Sequence, residues 1–112
     1  MTERDDALYL RHILEAAEQI QSYVAGVDEP AFEQTRMLQD AVVRQLEIMG
    51  EAAKQLSSEI RRANPQIRWQ DIAGMRDKLI HHYFGVDLKV VWETARRDVP
   101  ALARGLAELL SR

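Results

Sequence analysis

Apolar residues recur at three- and four-residue intervals along most of this 112-residue chain. That spacing gathers them on one stripe of an α-helix. No stretch of useful length alternates apolar and polar residues as a half-buried strand would. In the first segment Leu10, Ile13, Leu14, Ala17, Ile20 and Val24 follow the helical period, and Gly26 closes it. Asp28-Glu29-Pro30 then marks a turn and a new start. The next stripe is longer: Leu38, Val42, Leu46, Met49, Ala53, Leu56 and Ile60 predict one long helix. Asn64-Pro65 ends it, since the residue before a proline resists the helical region. Gly50 interrupts that helix at a cost of about 1 kcal/mol relative to alanine. It is either a point of close helix approach or incidental.

Trp69 to Ala73 predicts a short turn of helix, and Gly74 a bend into the following one. That helix stops at Phe84-Gly85, with glycine as a left-handed cap. Asp87 caps the next, which carries Val90, Val91, Trp92 and Ala95. Asp98-Val99-Pro100 opens a last helix with Leu102, Leu106, Leu109 and Leu110 on its stripe. The expectation is an all-α, up-and-down bundle of four to five helices in a single domain over 1–112. Both long stripes are wide for so small a chain, which suggests a helix–helix dimer interface.

Composition narrows the setting. There is no cysteine, which excludes disulfides and thiolate metal sites and fits a reducing compartment. The opening MTERDDALYL has no apolar run behind a basic flank, so no secretory leader is expected. No segment approaches the roughly 18 apolar residues of a membrane span. A cytoplasmic protein with no membrane partner is the expectation. The net charge of −3 argues at first against a nucleic-acid partner, but it is unevenly spread. Residues 1–60 carry 5 Lys/Arg and 12 Asp/Glu, whereas residues 61–112 carry 10 and 6. The basic half holds Arg61, Arg62, Arg68, Arg76 and Lys78, and local field matters more than net charge for attracting a phosphate chain. These charges form either a substrate track or a solvated helix face.

The same half contains RDKLIHHY at 76–83, an R-x4-H-x-Y pattern. It sets a fixed positive charge, a group that titrates near neutrality and a phenol within about two helical turns. These groups can break a phosphodiester without a metal. RNA brings its own nucleophile, the 2′-hydroxyl. Histidine, with an unperturbed pKa of about 6.5, can act as base or acid. Arginine offers a planar fork of donors to phosphate oxygens. Spacing adds a constraint. Arg76 and His81 are five residues apart, about 140° around an ideal helix, and do not share a face. Arg76 and Tyr83 do. His81 therefore meets Arg76 if the helix is distorted, if the arginine reaches across, or if a second subunit supplies the pairing.

Taken singly, each residue has a plainer role available. Arg76 can be an ion-pair arginine, His81 a polar edge of the core, and Tyr83 a packed ring with its hydroxyl at the surface. His82 is adjacent and could itself be the acting imidazole. Asp77 either orients the arginine or histidine, or is an acid in a first helical turn that favours the dipole. His12 is isolated and expected to be inert. His12 and His82 lack i, i+4 spacing to a carboxylate and His81 has Asp77 alone, too few ligands for a metal, so no metal site is expected.

The octad lies within IRWQDIAGMRDKLIHHYFGVDLKVVWE, and this stretch resembles the motif segment of HepT-like members of the HEPN superfamily, small helical RNases of toxin–antitoxin systems. DAVVRQLEIMGEAAKQLS at 40–57 is similar to the family's second signature, with Gln45 where asparagine is usual. The resemblance covers nearly the whole chain. R-x4-H alone is a weak pattern; with GM before it and FGVD after it, it is far more specific. The resemblance implies a HEPN-like bundle in a prokaryotic cytoplasm that works as a homodimer. Two octads would face each other in one cleft. Arg76 and His81 would be catalytic and Asp77 and His82 supporting, with RNA as substrate and neither metal nor cofactor. It also implies a MntA-type nucleotidyltransferase antitoxin that transfers AMP to Tyr83. The alternative is a non-catalytic helical binding partner of a nucleotidyltransferase, which would have no need to keep Arg76 and His81 together.

Overall fold

The computed structural model describes residues 3–79 and 87–112. All regular structure among them is helical. Helix α1 (Glu3–Val24) presents Leu10, Ile13, Ala17, Ile20 and Val24, each at most 3% exposed, as a continuous buried stripe. It ends where Gly26 takes φ 74°, a left-handed conformation that glycine adopts without a Cβ penalty. Asp28 then caps α2 (Glu29–Gln34) by accepting from the Ala31 N–H at 2.9 Å, with Pro30 in the first turn where no N–H is needed.

The long helix expected to run to Asn64 is broken twice. Thr35 leaves the helical region (φ −115°, ψ 90°), so α2 is separate from α3 (Arg36–Lys54). The buried Gln39 holds the two together, its amide donating to the carbonyls of Phe32 and Glu33 at 2.9 and 3.0 Å. The second break is at Ser57, whose hydroxyl accepts from the Ile60 N–H and caps α4 (Ser58–Ala63). Ser57 is itself clamped by the buried Asp6 carboxylate of α1, which accepts from its N–H at 2.9 Å and from its hydroxyl at 2.5 Å. The hydrophobic stripe hides this break because Leu56 and Ile60 still turn inward across it. Asn64 ends α4 as expected before Pro65.

α1 and α3 run antiparallel: Asp6 meets Ser57 at one end, and Tyr23 reaches Gln45 further along. Ile13 and Ile20 from α1 and Val42, Leu46 and Met49 from α3 are fully buried between them. At about 2–3 kcal/mol for each buried aliphatic side chain, this interface is the main source of stability.

Beyond the octad, Asp87 caps α7 (Leu88–Glu93) through the Val90 N–H, as expected. The last helix does not start afresh at Asp98. Asp98 and Val99 are both right-handed helical, and the chain passes from α7 through a π turn (Thr94–Asp98) directly into α8 (Val99–Ser111). Pro100 explains the turn: it lacks an N–H and its ring crowds the carbonyl one turn back, so the helix widens there instead of breaking. α8 packs on α1 through Val99, Ala103 and Leu106. The expected all-α bundle forms, and no helix among the described residues is long and apolar enough to cross a membrane.

Candidate active site

The octad begins on α6 (Met75–Leu79), which is positioned by the short helix before it, α5 (Trp69–Ala73). α5 lies tightly against α3 at Gly50. A Cβ placed there would stand 3.2 Å from the Ile72 carbonyl oxygen and 3.5 Å from that of Ala73. The glycine therefore permits the close backbone approach that its place in the stripe left open. Trp69 and Ile72 bury their side chains beside it. Gly74 bends the chain, its N–H donating to the Gln70 carbonyl at 2.9 Å, and the Lys78 N–H donates to the Gly74 carbonyl at 3.0 Å to form the first turn of α6. Met75, 6% exposed, anchors that turn in the core.

Arg76 is the second residue of α6, with its side chain outside what the structure describes. Asp77 and Lys78 follow it on the exposed side, Asp77 in the helix's first turn. His81, His82 and Tyr83, and the helix stop expected at Phe84-Gly85, lie outside the described residues. Chain on both flanks is fixed, by Met75 before the octad and by the Asp87 cap after it. α6 and α7 touch each other, which brings the two flanks together.

Three of the basic residues singled out in the sequence do converge. Arg61 and Arg62, from the last turn of α4, and Arg68, just before α5, line one surface groove of about 610 Å3 with Ser58, Trp69 and Asp71. Arg68 is bridged to Asp71 at 2.7 Å, and the Arg61 Nε donates to the Ser57 carbonyl at 3.4 Å. A second groove, of about 420 Å3, shares Ile67, Arg68 and Asp71 with the first. Its floor is Ile72, Met75 and Leu102, and Lys78 and Asp98 stand at its rim.

Residues 13–109 match the Ribonuclease HepT-like family, a span that contains the lining residues of both grooves and the entire octad. The chain belongs to this family. A Caldanaerobacter subterraneus protein named "Putative RNase" is 43% identical over 104 residues, covering 93% of each chain. The "Probable ribonuclease HepT" of Thermococcus cleftensis is 45% identical over 94 residues, 84% of this chain and 86% of that one. A longer Methanocaldococcus jannaschii protein, "Gamma-glutamylcyclotransferase and putative RNase", is 43% identical over 107 residues; the match covers 96% of this chain and 48% of that protein. No solved structure matches.

Within this HepT-like chain, two buried polar residues organise the site region without announcing that role in the sequence. Asn64, 2% exposed, reads in the sequence only as a helix terminator. Its side-chain amide donates to the Ile60 carbonyl at 3.0 Å, its backbone oxygen accepts from the Trp69 indole at 2.9 Å, and its Oδ1 accepts from Arg112 at 3.4 Å. The signal available was an asparagine before proline with a tryptophan five residues on. Asp6 sits among charged neighbours near the start of α1 and gives no sequence signal of its own. The second family signature maps to α3, where Gln45 reaches the Tyr23 hydroxyl at 3.5 Å. Gln45 also lines a groove of about 400 Å3 with His12, Glu15 and Glu18, on the α1–α3 side of the bundle. His12 is exposed and edge-on to Tyr9, with ring centroids 6.1 Å apart.

Proposed function

We propose that this protein is a metal-independent endoribonuclease and the toxin of a toxin–antitoxin pair, acting as a homodimer whose two octads share one cleft. The observation that carries this reading is the HepT-like match running unbroken through R-x4-H-x-Y. Ideal helical spacing supports the dimer: a five-residue separation would set Arg76 and His81 about 140° apart, and a second copy would supply the missing partner.

In the proposed reaction one His81 takes the proton of a ribose 2′-hydroxyl as its oxygen attacks the adjacent phosphorus. The bond from phosphorus to the 5′-oxygen breaks, and the partner's His81 protonates that leaving oxygen. Arg76 holds the equatorial oxygens of the phosphorane, a role whose loss costs about 3–4 kcal/mol in barrier height. The products are a 2′,3′-cyclic phosphate and a 5′-hydroxyl. Asp77 and His82 assist by orienting these groups.

Tyr83 serves as the off-switch. A MntA-type nucleotidyltransferase joins the tyrosine oxygen to the α-phosphorus of ATP, pyrophosphate leaves, and the phenolic proton is lost to solvent. The added phosphate places negative charge and bulk where an anionic substrate must bind. End analysis of RNA cut by the purified protein tests the chemistry: cyclic phosphate ends are expected, and free 3′-hydroxyl ends contradict it. Mass spectrometry after incubation with ATP and the partner enzyme should find AMP on Tyr83. An unmodified tyrosine removes the regulatory part of the proposal.

A further inference from the structure

The two connected grooves along α4, α5 and α6 segregate charge in a way the family assignment does not explain. The first is lined by three arginines and one carboxylate, Asp71. Among the described residues neither Arg61 nor Arg62 is in an ion pair, and Arg62 is exposed. The second balances Arg68 and Lys78 against Asp71 and Asp98 around an apolar floor. A positive, open channel thus leads into a neutral pocket with a greasy base, to which α6, where the octad begins, gives Met75 in the floor and Lys78 at the rim. Phosphates and nucleobases need those two environments in that alternation.

We infer that these grooves are a binding track for single-stranded RNA. Arg61, Arg62 and Arg68 hold backbone phosphates, and a base settles on Ile67, Met75 and Leu102, beside α6 where the octad begins. The inference rests on the ribonuclease reading for its substrate class and adds where that substrate lies. A single strand is favoured over a duplex because the second pocket needs an unstacked base, and paired bases keep their faces covered. Trp69 does not serve as a stacking platform. It is 6% exposed and its indole N–H is committed to the Asn64 carbonyl.

The pocket can be narrowed without touching its charge. Gly105 of α8 lies on its wall, and a Cβ there would meet only Ile67 side-chain atoms, at 3.8 and 3.9 Å. Gly105→Leu is therefore expected to fold, as a glycine in a helix interior gains intrinsic stability on substitution.

The test is fluorescence anisotropy with a short labelled single-stranded RNA bearing 2′-O-methyl riboses, which the proposed chemistry cannot cut. Binding is thereby read separately from cleavage. Arg61→Ala/Arg62→Ala should weaken binding about tenfold or more and lower the slope of log affinity against log salt by about 1.4, roughly 0.7 for each lost phosphate contact. Gly105→Leu should weaken binding with the slope unchanged, and circular dichroism confirms that each variant is folded. Wild-type affinity and slope in the arginine double variant would overturn the track, leaving those arginines a solvated face or a seat for an acidic protein segment. Equal affinity for a duplex of the same length would overturn its single-stranded character. If the track variants fail to bind as expected yet wild type does not cut ordinary RNA, the track stands and the nuclease assignment falls.

Discussion

The α1–α3 pair and the α4–α6 stretch are held together by different forces. α1 and α3 are 22 and 19 residues long and meet along stripes of fully buried aliphatic side chains. α4, α5 and α6 are 6, 5 and 5 residues long, far too short to persist alone. They bury Trp69, Ile72 and Met75 but are placed by specific polar bonds and one close contact: Asp6 to Ser57, Asn64 to Ile60 and Trp69, and the backbone of α5 pressed to Gly50. Non-directional burial builds the scaffold, whereas directional contacts place the site helices on it. The second region also carries the basic grooves and the start of the octad, so position there matters more than bulk stability.

Three substitutions separate the two kinds of support. Leu46→Ala removes a fully buried side chain from the α1–α3 interface and should cost about 3 kcal/mol in urea unfolding, with amide protection falling throughout. A loss confined to one helix would contradict the idea of a common scaffold. Asp6→Ala deprives the Ser57 N–H and hydroxyl of a charged acceptor and should cost about 2 kcal/mol. Its increase in amide exchange should concentrate in α4 and α5; a uniform increase would mean that the clamp is part of the core and not a local tie. Gly50→Ala is the finest test. Helix propensity alone predicts a gain of about 1 kcal/mol, but the new methyl must displace the Ile72 carbonyl. A net loss of similar size is expected, with exchange rising in α5. A stabilised variant would show that α5 rides loosely on α3.

The same division decides what could be read from the sequence. Helices that bury a stripe announce themselves by period, so α1, α3 and α8 are legible, as are the new start at Asp28-Glu29-Pro30 and the cap at Asp87. Breaks within a stripe are not. Thr35 and Ser57 interrupt the second long helix while Leu38, Leu56 and Ile60 keep the period, and the causes are Gln39 and a carboxylate 51 residues away in sequence, at Asp6. The π turn at Thr94–Asp98 escaped for a related reason: Pro100 reads equally well as a helix start, and packing of Val91, Ala95 and Val99 keeps the helix continuous instead. For the site, residue types and family pattern named Arg76, His81 and Tyr83. The convergence of Arg61, Arg62 and Arg68 was legible only as a charge surplus, because it depends on the Asn64–Trp69 turn folding α5 back beside α4.

The most direct test of the account compares wild-type protein with Arg76→Ala and His81→Ala for cleavage of single-stranded RNA in excess EDTA. The account predicts that wild type cuts with the chelator present and that each variant, folded and dimeric, loses activity by about a hundredfold or more. Undiminished cleavage by both variants, or cleavage that stops when EDTA is added, would contradict it.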